Sequence, residues 1–216
     1  MIATGIPGRP EILLVGTVRG YAPEVPDVLA ALDRFEPDAI GVGLSEEELQ
    51  GLVEYFADAD AEEVVPLTQV ERQEVAGLTR YGEVRVPSPA YIAILEWAHA
   101  RKIPVVPLDA SDIGAADMFA RHIGYIELVR RTLREHRLGR SPPPAGGPDE
   151  YALAWDRTLS SGRGSRAFLA ERDTFLAATA LELAGTHDRV GIVVDRERFA
   201  LVAGEWARTR RVRLAR

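Results

Sequence analysis

The chain has 216 residues, 46% of them apolar, and a formal net charge of −7. That length suits one domain, the apolar fraction is enough to bury a core, and the acidic balance excludes a whole surface built to attract nucleic acid or anionic lipid. With no cysteine in the chain, disulfides, thiolate zinc sites, iron–sulfur clusters and a cysteine nucleophile are excluded.

No basic segment followed by an apolar run stands near residue 1, so no secretion leader is expected. No apolar stretch approaches the roughly 20 residues that span a bilayer, and a cytoplasmic location is expected. Ile12 to Gly16 is a short apolar run that predicts a buried strand. Gly20-Tyr21-Ala22 marks a turn, and Val25, Val28, Leu29, Leu32 and Phe35 then recur at helical spacing. Pro37 ends that helix, because proline disfavours helical geometry in the residue before it. Ala39 to Leu44 predicts a second strand, so strand, helix and strand form a βαβ unit with parallel pairing. Ser45 is placed as the cap of a helix running to about Ala57, with Glu46, Glu47 and Glu48 at the positive end of its dipole.

Asp58 to Glu63 is read as an acidic linker, and Ala61 to Arg80 as polar and partly helical. Ser88-Pro89 predicts a helix start with serine as cap, the helix running to about Arg101. Pro104 to Leu108 predicts a third strand ending in Asp109. Residues 115 to 138 read as one long helix, and Ser141 to Pro148, with its four prolines and two glycines, as a loop. Helix and loop together (about 115 to 150) form an arm that, from its shape, pairs with a second subunit. A helix from about Arg166 to Ala184 follows, stopped by Gly185, then a strand from Val190 to Val194 and a helix from Phe199 to Trp206. Val212 to Leu214 is a final strand or a tail. The expected fold is α/β, a mostly parallel sheet of four or five strands flanked by helices, with a long helical arm, in one domain over residues 1 to 216.

In open α/β sheets ligands sit beyond the carboxyl ends of the strands. That rule selects Thr17 to Arg19, Gly41 to Ser45, Asp109 to Asp112 and Asp195 to Arg198. In the helix from Arg166, Phe168, Leu169, Phe175, Leu176, Thr179, Ala180 and Leu183 form an apolar face with Arg172 near its centre. A guanidinium there is costly to bury unless paired, so Arg172 is expected to meet a carboxylate, Asp109 or Asp112. None of His99, His122, His136 and His187 pairs with another at metal-site spacing. Arg130, Arg131, Arg134, Arg137 and Arg140 make a basic stripe, read as a solvated helix face without nucleic-acid or membrane partners. No GxGxxG, GxxxxGK or GxSxG motif is present.

The order of motifs resembles the TraB/PrgY family. Leu14-Val15-Gly16-Thr17-Val18-Arg19, Pro23-Glu24 and Pro37 to Leu44 are similar to its GTxH turn, amphipathic helix and "PD" strand. Tyr81-Gly82-Glu83 and Pro87-Ser88-Pro89 resemble a Gly/Pro-rich turn, Leu108 to Asp112 an "IDRD" strand end, and Glu171-Arg172-Asp173 an "ERD" helix. The resemblance implies a fold shared with Tiki-type proteases, ChaN-like haem-binding proteins and erythromycin esterases. It also implies pheromone shutdown, by peptide cleavage, as the associated process. Departures from the pattern concern the site itself. Arg19 and Arg198 stand where metal-ligating histidines are expected, and Gly43 where an acid would end the second strand. Arginine stays protonated and cannot ligate a metal, but suits an anion by bidentate contact.

Three readings follow. In the first, a non-catalytic or divergent domain binds an anionic small molecule or a peptide through Arg19, Arg172 and Arg198, with Thr17 donating a hydrogen bond and no cofactor. In the second, a metal-dependent hydrolase holds Mg²⁺ or Mn²⁺ on oxygen ligands drawn from Glu24, Asp109, Asp112, Glu171, Asp173 and Asp195, with Glu24 or Glu171 as general base. In the third, the sheet edge is inert and the protein serves a structural or interaction role.

Overall fold

The computed structural model describes residues 2–6, 10–57 and 67–214. In chain order the elements are β1 (Ile2–Ile6), β2 (Glu11–Thr17), a 3-10 turn (Ala22–Glu24), α1 (Val25–Phe35), β3 (Ala39–Val42), α2 (Glu46–Ala57) and α3 (Gln69–Leu78). There follow α4 (Pro89–Arg101), β4 (Val105–Pro107), α5 (Asp112–His122), α6 (Tyr125–Arg140), α7 (Pro148–Leu159), α8 (Arg163–Ala184), β5 (Arg189–Asp195) and α9 (Arg196–Leu214). The strands form one sheet in the order β1-β2-β5-β3-β4. β2, β5, β3 and β4 are parallel, and β1 runs antiparallel along β2. This is an α/β fold, mostly helical, with a four-stranded parallel sheet and a long helical arm.

Alternation along β2 and β5 divides the core between the two faces of the sheet. Ile12, Leu14, Ile192 and Val194 face α8 and α9, where Leu176, Ala180, Val202 and Trp206 close over them. Leu13, Val15, Val193 and Ile40 face α1 and α4, meeting Val28, Leu32 and Ile94. Leu78, Leu138, Tyr151 and Trp155 form a separate cluster that ties α3, α6 and α7 together.

Several sequence expectations change. The single helix over 115 to 138 is two helices, because Ile123 adopts extended backbone and Gly124 starts the next helix as its N-cap. Pro148 opens α7 rather than closing a loop, its missing N–H being tolerated in the first helical turn. Val212 to Leu214 continues α9 instead of forming a strand or tail. Ser88 occupies the cap position of α4, yet its hydroxyl makes no cap bond and accepts from Gly20 N–H at 3.4 Å. Ser45 does cap α2: its Oγ accepts from Glu48 N–H while Glu48 accepts from Ser45 N–H. The acidic linker over 58 to 63 and the first part of the polar stretch, 61 to 66, lie outside the described residues.

Candidate functional site

The register sets the site. Thr17 and Asp195 are paired neighbours at the carboxyl ends of β2 and β5, so the residues just after Thr17 emerge over Asp195. Gly20 turns the chain there with φ of +82°, a conformation open to glycine at little cost, and a Cβ would press on Arg85 O at 3.0 Å. Arg85 N–H donates to Gly20 O at 2.9 Å and Ala22 N–H to Glu83 O at 3.0 Å, which pins the 83–88 loop against the turn.

A cleft of about 680 Å³ opens above this edge. Arg19 and Tyr91 line it beside Gly20 and Leu44, with α2 and α3 as walls. Leu52, Val75 and Leu78 supply apolar wall, Glu48, Glu54, Glu71 and Glu74 give it an acidic excess, and Arg85, paired with Glu83, also lines it. Arg19 Nε and Nη2 both donate to Asp195 Oδ2, at 3.1 and 2.8 Å. Tyr91 Oη donates to Asp195 Oδ1 at 3.0 Å. Asp195 is thus buried under two donors, whereas the Arg19 side chain is 49% exposed and its Nη1 lies 3.9 Å from Glu48 Oε1. The charge of Asp195 holds Arg19 above its ordinary pKa, and burial, with Asp195 next, pushes the Tyr91 phenol up.

Two more arginine–aspartate pairs lie behind this one. Arg172 Nε donates to Asp109 Oδ1 at 2.9 Å, and its Nη2 lies 2.6 Å from Oδ2. Arg198 Nη1 donates to Asp173 Oδ1 at 2.7 Å. Burial opposes the charge on Arg198, but the carboxylates of Asp109 and Asp173 outweigh it and raise its pKa. Burial lifts the Asp173 carboxyl to about 6 despite Arg198. The three arginines therefore do not converge on one ligand. Each is matched to its own aspartate, and of the three only Arg19 lines the cleft. Thr17 is fully buried with its Oγ1 lacking a hydrogen-bond partner among the described residues, so it is not a lining donor. Asp112 is exposed at the start of α5, where its N–H donates to Glu47 Oε2 at 3.3 Å, and Arg172 takes Asp109 instead.

The two candidate bases stand in unrelated surroundings. Glu24 is buried and accepts from Val18 N–H at 2.7 Å; burial pushes its carboxyl up to about 7. Glu171 pairs with Arg121 and His122 between α5 and α8, and the hydrogen bond from His122 leads in lowering its pKa. Asp109, Asp173 and Asp195, offered as metal ligands, are each taken by a guanidinium. Among the described residues no group of three or more histidines and acids is placed to hold a metal ion.

Sequence reasoning missed Tyr91, Glu74 and Asp156, and it gave Glu197 no role of its own within the selected strand end Asp195 to Arg198. Burial pushes Glu74 to about 7 and Glu197 to about 8, and raises Asp156. Asp195 and Asp156 act on both glutamates, which also oppose each other, so these acids form one interacting group, and the charge of Arg19 opposes the rise at Glu74. A carboxyl titrating near neutrality beside a cleft can exchange a proton with a ligand. No sequence signal marks these residues, since a polar helix face reads as solvated until another helix covers it.

No model of a known protein family matches the chain, and no curated protein matches it.

Proposed function

We propose that the chain is a TraB/PrgY-like domain, with a fold of the ChaN-like kind, that has diverged from catalysis and binds a peptide or another small carboxylate-bearing molecule in its cleft. Carrying the reading is the half-exposed guanidinium of Arg19, fixed in orientation by Asp195 and presenting its outer edge to the cleft. A preorganised guanidinium suits a carboxylate, which it meets through two parallel hydrogen bonds. The acids on the walls disfavour a polyanion such as nucleic acid, so the favoured ligand has one anionic group and a neutral or cationic remainder. A peptide carboxyl terminus has that form. Thr17, Arg172 and Arg198 support the floor from behind rather than touching the ligand. A chain without cysteine also fits a reducing compartment such as the cytoplasm.

The test is binding of a pool of short basic peptides, with free or amidated carboxyl termini, to wild type and to Arg19→Gln. Loss of about tenfold or more in affinity on amidation, and again in the variant, is expected for a charge-assisted bidentate contact. Equal binding of both pools by both proteins would sink the reading.

A second reading, a hydrolase, is favoured by one observation: Glu74 lines the cleft with a carboxyl near neutrality. A metal-dependent form must first draw Asp109, Asp173 or Asp195 away from its arginine. A saturable rise in melting temperature of metal-stripped protein with Mg²⁺ or Mn²⁺, lost in Asp109→Asn, would favour that hydrolase over the binding domain.

A further inference from the structure

The exposed face of α6 is unlike the rest of this acidic chain. Tyr125, Ile126 and Leu133 are 81%, 67% and 65% exposed, and Leu128 and Val129 are exposed beside them. Arg130, Arg137 and Arg140 are exposed on the same helix, together with His136. Both acids of α6 turn inward: Glu127 accepts from Arg134 and Ser165, and Glu135 from Arg131. Arg131 and Arg134 are thereby neutralised against the body, so the basic stripe divides in two. What faces solvent is mainly apolar and cationic, with Thr132 and His136 among it and no acid of this helix.

At about 100° per residue, the five apolar side chains cover an arc of roughly 160°. Arg130 and Arg137 border one margin, and Arg140 stands within the arc about two turns beyond Leu133. A seam for a partner helix is narrower, since it uses only two positions in seven. Two-fold pairing with a second copy would set cation against cation, because an isologous contact brings the same patch to both sides.

We propose that this face of α6 docks the protein on an anionic lipid bilayer surface. Aliphatic side chains and Tyr125 would enter the headgroup boundary, and the arginines would bind lipid phosphates and carboxylates. No helix among the described residues is long and apolar enough to cross a membrane, so the attachment is to the surface. The site is separate from the cleft and does not rest on the reading given for it.

The test uses the full chain carrying Tyr125→Trp, with vesicles of phosphatidylcholine alone or of equal parts phosphatidylcholine and phosphatidylserine. Trp97, Trp155 and Trp206 are all buried, so the new side chain dominates any change of emission. The expected result is a blue shift and co-sedimentation with the phosphatidylserine vesicles only, weakened by salt. Replacing Arg130, Arg137 and Arg140 by Gln should cut partitioning by about tenfold or more, and Leu133→Ser should abolish the shift. These side chains are exposed, so an unchanged melting temperature would show the variants folded. Equal binding to both vesicle types, or none to either, overturns the proposal. So does concentration-dependent dimerisation lost in Leu133→Ser, or capture of an acidic helical peptide, without vesicle association.

Discussion

Arg172 shows how a single side chain can be read from its position on a helix. A guanidinium at the centre of an apolar face requires a partner, and the structure supplies Asp109, whose side chain is fully buried. Arg172→Ala would leave that carboxylate without its bidentate partner, with the Ala110 N–H still donating to it and Arg198 acting on it through charge alone. The expected loss is roughly 3 kcal/mol of unfolding free energy by urea titration, with Arg172→Lys recovering part of it. A change within experimental error would show that water or another cation already serves Asp109. Arg19 was visible as a substitution for a histidine, but its partner was not. Asp195 lies 176 residues away, and spacing along a chain reports faces rather than distances. The burial of Glu74 and Glu197 was illegible for a related reason: each sits in a charged stretch, and only packing between elements removes them from water.

At the level of elements, short apolar runs located β2, β3 and β5, helical spacing located α1, and the Ser88-Pro89 start located α4. Sequence reasoning missed β1, where Ile2-Ala3-Thr4-Gly5-Ile6 is short and interrupted by a glycine that weakens any strand pattern. It missed α7 because a proline and two glycines in front of a helix look like loop. The α3–α7 contact shows how tight such a helix pair is. A Cβ on Gly77 would lie 1.8 Å from Tyr151 Oη, and Tyr151 is fully buried. Gly77→Ala is therefore expected to cost about 1–3 kcal/mol through displacement of the ring, although alanine is the better helix former. Gly204 in α9 meets nothing within 4 Å, so Gly204→Ala should gain roughly 0.5–1 kcal/mol from propensity alone. Thermal unfolding of the two variants side by side separates packing from propensity, and similar shifts in the same direction would contradict the α3–α7 geometry.

For the molecule as a whole, the buried acids predict how stability varies with pH. Glu24 and Glu74 titrate near 7, Glu197 near 8 and Asp173 near 6, all raised mainly by burial. The folded state therefore holds protons that the unfolded chain has released. Stability must fall as pH rises from the ordinary carboxylate range through about 8, where the last of these groups ionises in the folded state. Urea midpoints should decline between about pH 5 and about pH 8, and Glu197→Gln should flatten the upper part of that decline. A midpoint that climbs with pH would contradict the buried acidic field. The α/β alternation of the chain was legible because it depends on local periods. The strand order was not, since nothing in β5 itself says that it belongs between β2 and β3.

That position has a consequence for the birth of the molecule. β2 and β3 are among the first strands to be synthesised, yet they do not touch, and the strand that joins them comes from residues 189 to 195. Until that segment leaves the ribosome, each has an open edge facing an empty slot in the sheet. Glu11 must find Arg189 across most of the chain, a closure that favours slow folding and a long interval of exposed strand edges. The growing chain thus carries two unpaired strand edges until its end, and its last strand closes the sheet like a keystone.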